Sequence, residues 1–194
     1  MLRPLLFSLV LAASARPASI REVQPHRTDV NHSSVGFSVP ILGGISQVTG
    51  KFSRFKLDFD FDEEKPENSK VLATIDATSV DTGIDDRDAH MQSDDFFATS
   101  EHPEIVYESF EVRVLEKDHL EVVGVLTIRD ISKDVSLDVR VLREKDGDSV
   151  GFVGTTQFDR QPFGVKYRHG DIPDFIGDEV NVNLHVLTRP SKRR

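Results

Sequence analysis

From Phe55 to Asp62 the sequence alternates without a fault: Phe55, Leu57, Phe59 and Phe61 are apolar, and the residues between and after them, Lys56, Asp58, Asp60 and Asp62, are charged. In an extended chain successive side chains point to opposite faces, so this stretch makes a strand with one dry and one wet face. The same period appears in Val35, Phe37 and Val39, in Val71, Ala73 and Ile75, and in Val180, Val182, Leu184 and Val186. It is cleanest in Val135, Leu137, Val139 and Val141, set against Asp134, Ser136, Asp138 and Arg140. Pro66 and Asn68 break the run after Phe61, which predicts a hairpin with a long loop. Ile105 and Tyr107 alternate, slip phase near Ser109 and Phe110, and resume with Val112 and Val114; a β-bulge accounts for the slip. Leu120 to Ile128 is apolar on both parities around Gly124, and a turn over Asp130–Lys133 leads to the next strand. A turn at Lys145–Asp148 precedes a strand from Val150 to Phe158. Only the 84–97 region lacks strand character, and it reads as one short helix. The class is all-β, and eight mostly antiparallel strands make a closed barrel or a sandwich.

Length and charge narrow the function. A chain of 194 residues has room for one domain of ordinary size. Its 24 basic and 33 acidic residues, net −9, repel nucleic acid and anionic surfaces. Arg3, an apolar run from Leu5 to Ala13 and the small residues Ala13, Ser14 and Ala15 have the form of a secretory signal peptide over 1–15. That run is too short to span a bilayer, and no later stretch comes close. The expectation is therefore a periplasmic or secreted protein, with an irregular segment at 16–28, a barrel domain at 29–188 and a solvated basic tail at 189–194. There is no cysteine, so stability must come from the core without disulfides.

The stretch Asp81-Thr-Gly-Ile-Asp-Asp-Arg-Asp-Ala-His-Met-Gln-Ser-Asp-Asp-Phe-Phe97 concentrates the chain's acids. Its glycine and acid positions fail the register of a calcium-binding EF-hand loop. A helix start explains the acids better: Thr82 and Asp85 stand three apart as in a capping box, as do Asp85 and Asp88. First-turn carboxylates also complement the helix dipole. Arg87 opposes that dipole and has no carboxylate at i+3 or i+4, so its charge is used elsewhere. One reading is a bridge to Asp81, Asp94 or Asp95; the other is a polar or anionic ligand headgroup held beside Phe96 and Phe97. No histidine pair has the spacing of a preformed zinc site. An alternative function, a metal-assisted hydrolase or isomerase, would need Asp85, Asp88, His90 and His102 brought together by the fold.

The stretches DVNHSSVGFSV (29–39), GKFSRFKLDFDFD (50–62), SVDTGIDDRDAHMQSDDFF (79–97), HPEIVYES (102–109), VVGVLTIRDISKDVSLDV (122–139), FDRQPFGV (158–165) and IGDEVNVNL (176–184) resemble the YceI-like polyisoprenoid-binding proteins, in the family's order. The Asp-Thr-Gly to Asp-Phe-Phe block is the most specific part. The resemblance implies an eight-stranded antiparallel lipocalin-like barrel and a homodimer. It also implies an elongated pocket for an isoprenoid quinone, a polyprenyl chain or another long amphiphilic lipid. It implies no catalytic residue, so the chain is not expected to be an enzyme, and no cofactor apart from a bound lipid or isoprenoid quinone. Two positions depart from the family's habit: Ile41 replaces a histidine before Leu42-Gly43, and Asp130 replaces a turn glycine.

Thirteen phenylalanines and no tryptophan suit a smooth apolar lining. The inward positions expected to line it are Phe37, Val39, Phe55, Leu57, Phe59, Ile75, Ile105, Tyr107, Leu137, Val139 and Phe163, with Arg87, Phe96 and Phe97 near the mouth.

Overall fold

The computed structural model describes residues 26–145, 147–170, 172 and 174–190. The expected signal peptide, the segment 16–25 and the tail residues 191–194 lie outside the described residues.

The alternating segments become strands that pair antiparallel throughout. They are β1 (His26–Thr28), β2 (Ser34–Ile41), β3 (Ser46–Phe52), β4 (Phe55–Asp60), β5 (Lys70–Asp76), β6 (Val80–Asp81), β7 (Glu104–Glu116), β8 (His119–Ile128), β9 (Ile131–Arg143), β10 (Val150–Asp159) and β11 (Glu179–Pro190), with a single helix, α1 (Asp85–Gln92), among the described residues. The sheet runs β4-β5-β7-β8-β9-β10-β11-β2-β3-β6, and β1 joins it on β11. β3 and β4 are one strand bent at Ser53 and Arg54, and β5 and β6 are one strand bent at the 3₁₀ turn Ala77–Ser79. Counted so, the wall has eight long strands, as the alternation predicts.

The bends curl the sheet towards closure. The first half of the β3–β4 strand pairs with β2, through contacts such as Val35–Phe52, and the second half pairs with β5, from Phe55–Ile75 to Asp60–Lys70. At the corner Ser79 accepts from the Ser53 and Arg54 amides through its carbonyl and its hydroxyl respectively. Residues 26–28 show no alternation, which predicts an irregular path. They instead form β1, pairing with β11 while Thr28 Oγ1 donates to the Leu57 carbonyl of β4 at 3.3 Å. A strand of three residues can be held by its neighbours without a pattern of its own.

Two local features follow the sequence closely and one departs from it. The register of β7 against β8 shifts between Ser109 and Glu111, which places a bulge at Phe110, and Ser109 Oγ accepts from the Val71 amide at 2.8 Å. The short helix occupies only Asp85–Gln92 of the 84–97 region, with turns continuing to Phe97. The β8–β9 turn is shorter than expected. Ile128 pairs with Ile131, and Arg129 and Asp130 both take positive φ, 53° and 60°, as a two-residue hairpin turn requires. Asp130 accepts this geometry less readily than a glycine would.

Tyr107 on β7 lies along the inner wall over Gly124 of β8. Its hydroxyl is shared between the Val122 and Val135 carbonyls at 2.9 and 3.2 Å, and burial pushes its pKa up. The ring fits because position 124 has no side chain: a Cβ there would lie 2.6 Å from Tyr107 Cζ and 2.6 Å from the Glu108 carbonyl oxygen. Gly124→Ala is therefore expected to destabilise the protein by ~1–3 kcal/mol, read as a lower urea midpoint. An unchanged midpoint would mean that the β7–β8 contact yields without cost.

Candidate functional site

The inward faces enclose an elongated cavity of about 450 Å³, a size typical of small-ligand sites. Of the expected wall positions, Phe37, Val39, Leu57, Phe59 and Ile75 line it from β2, β4 and β5. Ile105, Tyr107, Leu137 and Val139 line it from β7 and β9, and Arg87, Phe96 and Phe97 from the helical segment. Phe55 and Phe163 do not line it. Phe55 starts β4 just after the bend and packs, half-buried, against the surrounding apolar cluster. Phe163, 2 % exposed, sits in the 3₁₀ turn after β10 and packs edge-on to Phe158 with ring centroids 5.3 Å apart. Inward parity has meaning only within a strand, so it could not place a residue in a turn.

The cavity's two ends differ. At one end Phe59, Phe61 and Phe152 pack together, Phe152 standing edge-on to the other two rings at 4.6 and 5.1 Å. At the other, α1 presents Arg87, His90 and Met91 to the cavity, the i, i+3, i+4 face of the helix. Asp85 and Asp86 are exposed. The start of the helix is tied differently from the expected capping box: Asp88 Oδ1 reaches back to accept from the Thr82 amide at 2.8 Å and from the Thr82 hydroxyl. Thr82 in turn holds Arg87, accepting from Nε on Oγ1 and from Nη2 on its carbonyl, both at 2.8 Å. The expected bridge from Arg87 to Asp81, Asp94 or Asp95 is not formed: Asp81 lies 3.5 Å from Lys51, and Asp95 pairs with His90 at 2.8 Å.

The residues required by the alternative metal-dependent reading are spread apart. Asp88 holds Thr82, His90 pairs with Asp95, and His102 Nδ1 lies 3.0 Å from Asp130 Oδ2 without hydrogen-bond alignment. No cluster of three or more histidine and acidic side chains with metal-binding geometry occurs among the described residues.

Sequence patterns missed the segment after β10. Tyr167, His169, Phe175 and Ile176 complete the mouth, yet they belong to a stretch with neither strand nor helix period. His90, Phe96 and Tyr167 form a ring cluster with centroids 4.7 to 5.1 Å apart, and His169 stacks on Phe175 at 4.3 Å. This segment is docked on the β2 end by the Leu42 amide donating to Phe175 O and the Gly177 amide to Pro40 O, at 2.9 and 2.8 Å. Arg160, 4 % exposed, anchors it. Its guanidinium donates to the Val165 and Gly177 carbonyls at 2.6 and 2.9 Å and to Asp178 Oδ1 at 3.0 Å. Burial pulls the Arg160 pKa down, opposed by the Asp178 charge.

A hydrogen bond from Gln161, aided by the charges of Arg168 and Arg160, holds the Asp178 carboxyl below the usual carboxylate range. Because its folded pKa is depressed, Asp178 stabilises the fold above the ordinary carboxylate pKa, and that contribution is lost as pH falls through the folded value. Asp178→Asn should lower the melting temperature at pH 7 and flatten its decline as pH falls below the ordinary aspartate pKa of about 4. Parallel acid limbs for variant and wild type would contradict the role assigned to this carboxylate.

The fold and cavity define a β-barrel whose interior is an apolar tube with a polar mouth. A family model described as a YceI-like domain matches residues 26–187, and the chain belongs to that family. It is similar to a UPF0312 protein of Pseudomonas aeruginosa, 31% identical over 192 residues that cover 96% of this chain and 97% of that protein. Among solved structures it resembles Burkholderia cenocepacia BcnA, with a TM-score of 0.76 and 23% identity, covering 83% of this chain and 99% of that one. It also resembles a polyisoprenoid binding domain from Saccharophagus degradans, with a TM-score of 0.64 and 14% identity, covering 87% and 100% of the two chains. At these identities the two structures establish the shared fold.

Proposed function

We propose that this protein binds or carries a long-chain isoprenoid or other amphiphilic lipid, without catalysing a reaction, in a periplasmic or secreted setting. The observation that carries this reading is the tube itself: an elongated interior lined from one end to the other mainly by Val, Leu, Ile and Phe. A polyprenyl tail in water exposes apolar surface, and burying it returns ~25 cal/mol per Å², or ~0.8 kcal/mol per CH₂, before the cost of ordering the chain. Such binding needs only a dry, continuous lining. The polyisoprenoid named for the Saccharophagus domain is consistent with a tail of this kind.

The outer surface supports an aqueous setting. Lys56, Asp58 and Asp60 on β4, and Asp134, Asp138 and Arg140 on β9, are all exposed, the reverse of the apolar outward band of a membrane barrel. Among the described residues no helix is long and apolar enough to cross a membrane. The basic, apolar and small-residue pattern at the N-terminus is the support for export.

Phe59 lines the tube and belongs to its three-ring end, so Phe59→Asp would place a charge where a tail must lie. The variant should keep the far-ultraviolet circular dichroism of the wild type and lose lipid recovery, measured by organic extraction of the purified protein and mass spectrometry. A folded variant that retains its lipid would refute the tube as the binding site.

A further inference from the structure

The chain carries 33 acidic residues, yet among the described residues no aspartate or glutamate lines the cavity. The lysine and arginine side chains that do are Lys70, Arg87 and Arg160. Two of these are accounted for. Lys70 is exposed at the opposite end of β5 from the helix, and Arg160 is committed to carbonyls and to Asp178. Arg87 is different. It is half-buried at the mouth, and among the described residues only two of the five N–H donors of an arginine are used, both by Thr82. It has no ion pair among the described residues.

The arrangement around Arg87 also fixes its direction. Thr82 holds the guanidinium from one side and is itself held by Asp88, so the side chain is braced by neutral oxygen atoms. The acids of the same helix turn, Asp85 and Asp86, are exposed, whereas Arg87 shares the cavity face with His90 and Met91. His90 engages Asp95 through Nε2, so that carboxylate is already occupied by a mouth residue. A partly desolvated cation with spare donors is a site for an acceptor, and an anionic one gains most.

Building on the lipid-binding reading above, we infer that Arg87 selects ligands with an anionic headgroup of the phosphate class, held at the mouth while the tail fills the tube. The fork of guanidinium donors matches two phosphate oxygens at once, which a neutral alcohol head cannot supply. The tail provides affinity and Arg87 provides discrimination. Because the anion sits at the mouth, its attraction is partly screened by salt, whereas the tail's is not.

The test compares geranylgeranyl monophosphate with geranylgeraniol, which share one tail, by equilibrium gel filtration of the full chain with radiolabelled ligands. Wild type should bind the phosphate about tenfold or more tightly, and this preference should shrink in high salt. Arg87→Met should bring the two affinities together, while Lys56→Met, on the outer face of β4, should keep the preference. Equal binding of both ligands by wild type, or a preference that survives Arg87→Met, would overturn the inference and leave the tube reading standing. Should Arg87→Met fail to fold, the salt dependence of wild type decides instead, a salt-independent preference counting against the inference. Retention of neither ligand would overturn the tube reading itself, and displacement of the tailed phosphate by an equal concentration of inorganic phosphate would show that the tail has no part.

Discussion

The corner at Ser53 and Arg54 is the constraint on which the rest depends. A curled sheet can enclose an apolar space only if its backbone donors and acceptors are paired all the way round. One strand must therefore leave β2 and arrive at β5, and the turn it makes leaves amides that need partners. Ser79 supplies them. Its hydroxyl and carbonyl accept from Arg54 and Ser53, and Ser79 Oγ donates to the Asp76 carbonyl at 2.6 Å. Outside the wall, Arg54 binds Asp76 and Thr78 at 2.8 and 2.7 Å, so both bent strands are locked to each other. The interior can then be lined mainly by apolar side chains, with no backbone group left for them to satisfy.

Strand identity and the inner face were legible because alternation has a single geometric meaning; β4 obeys it along its whole length and β9 from Asp134 to Leu142. The bulge at Phe110 was legible for the same reason, as a fault in that period. Closure was not. It rests on Ser79 meeting Ser53 and Arg54, which lie far back along the chain and carry no local signature. The mouth was half legible: Arg87 stood out as a cation in the wrong turn of a helix, but its partner is Thr82, five residues back across a bend. Tyr167, His169 and Phe175 lie in a segment ordered by hydrogen bonds to Pro40 and Leu42 and by the Arg160 anchor, and such docking leaves no trace in periodicity. Phe163 showed the opposite failure, a large apolar residue whose burial belongs to a turn.

The two ends of the tube have different physical characters. The phenylalanine end is dominated by packed aromatic rings, with Lys70 exposed beside them. The mouth joins aromatic rings to basic groups on a protein whose outside is strongly acidic. Arg129 ties these regions into one unit, its Nη1 lying within 3.1 Å of the Asp94, Phe96 and Gly164 carbonyls. The β8–β9 hairpin, the helical segment and the loop after β10 are thereby fastened together beside the opening. A change in any of the three alters the shape of the mouth before it alters the tube.

The protein has two tyrosines and no tryptophan, and both tyrosines line the cavity. Tyr107 lies deep, with its hydroxyl bound to the wall, and Tyr167 stands in the ring cluster at the opening. The molecule thus carries a built-in pair of optical probes at two depths, free of brighter emitters. Filling of the interior and occupation of the rim are readable from its own ultraviolet signal, with no dye attached.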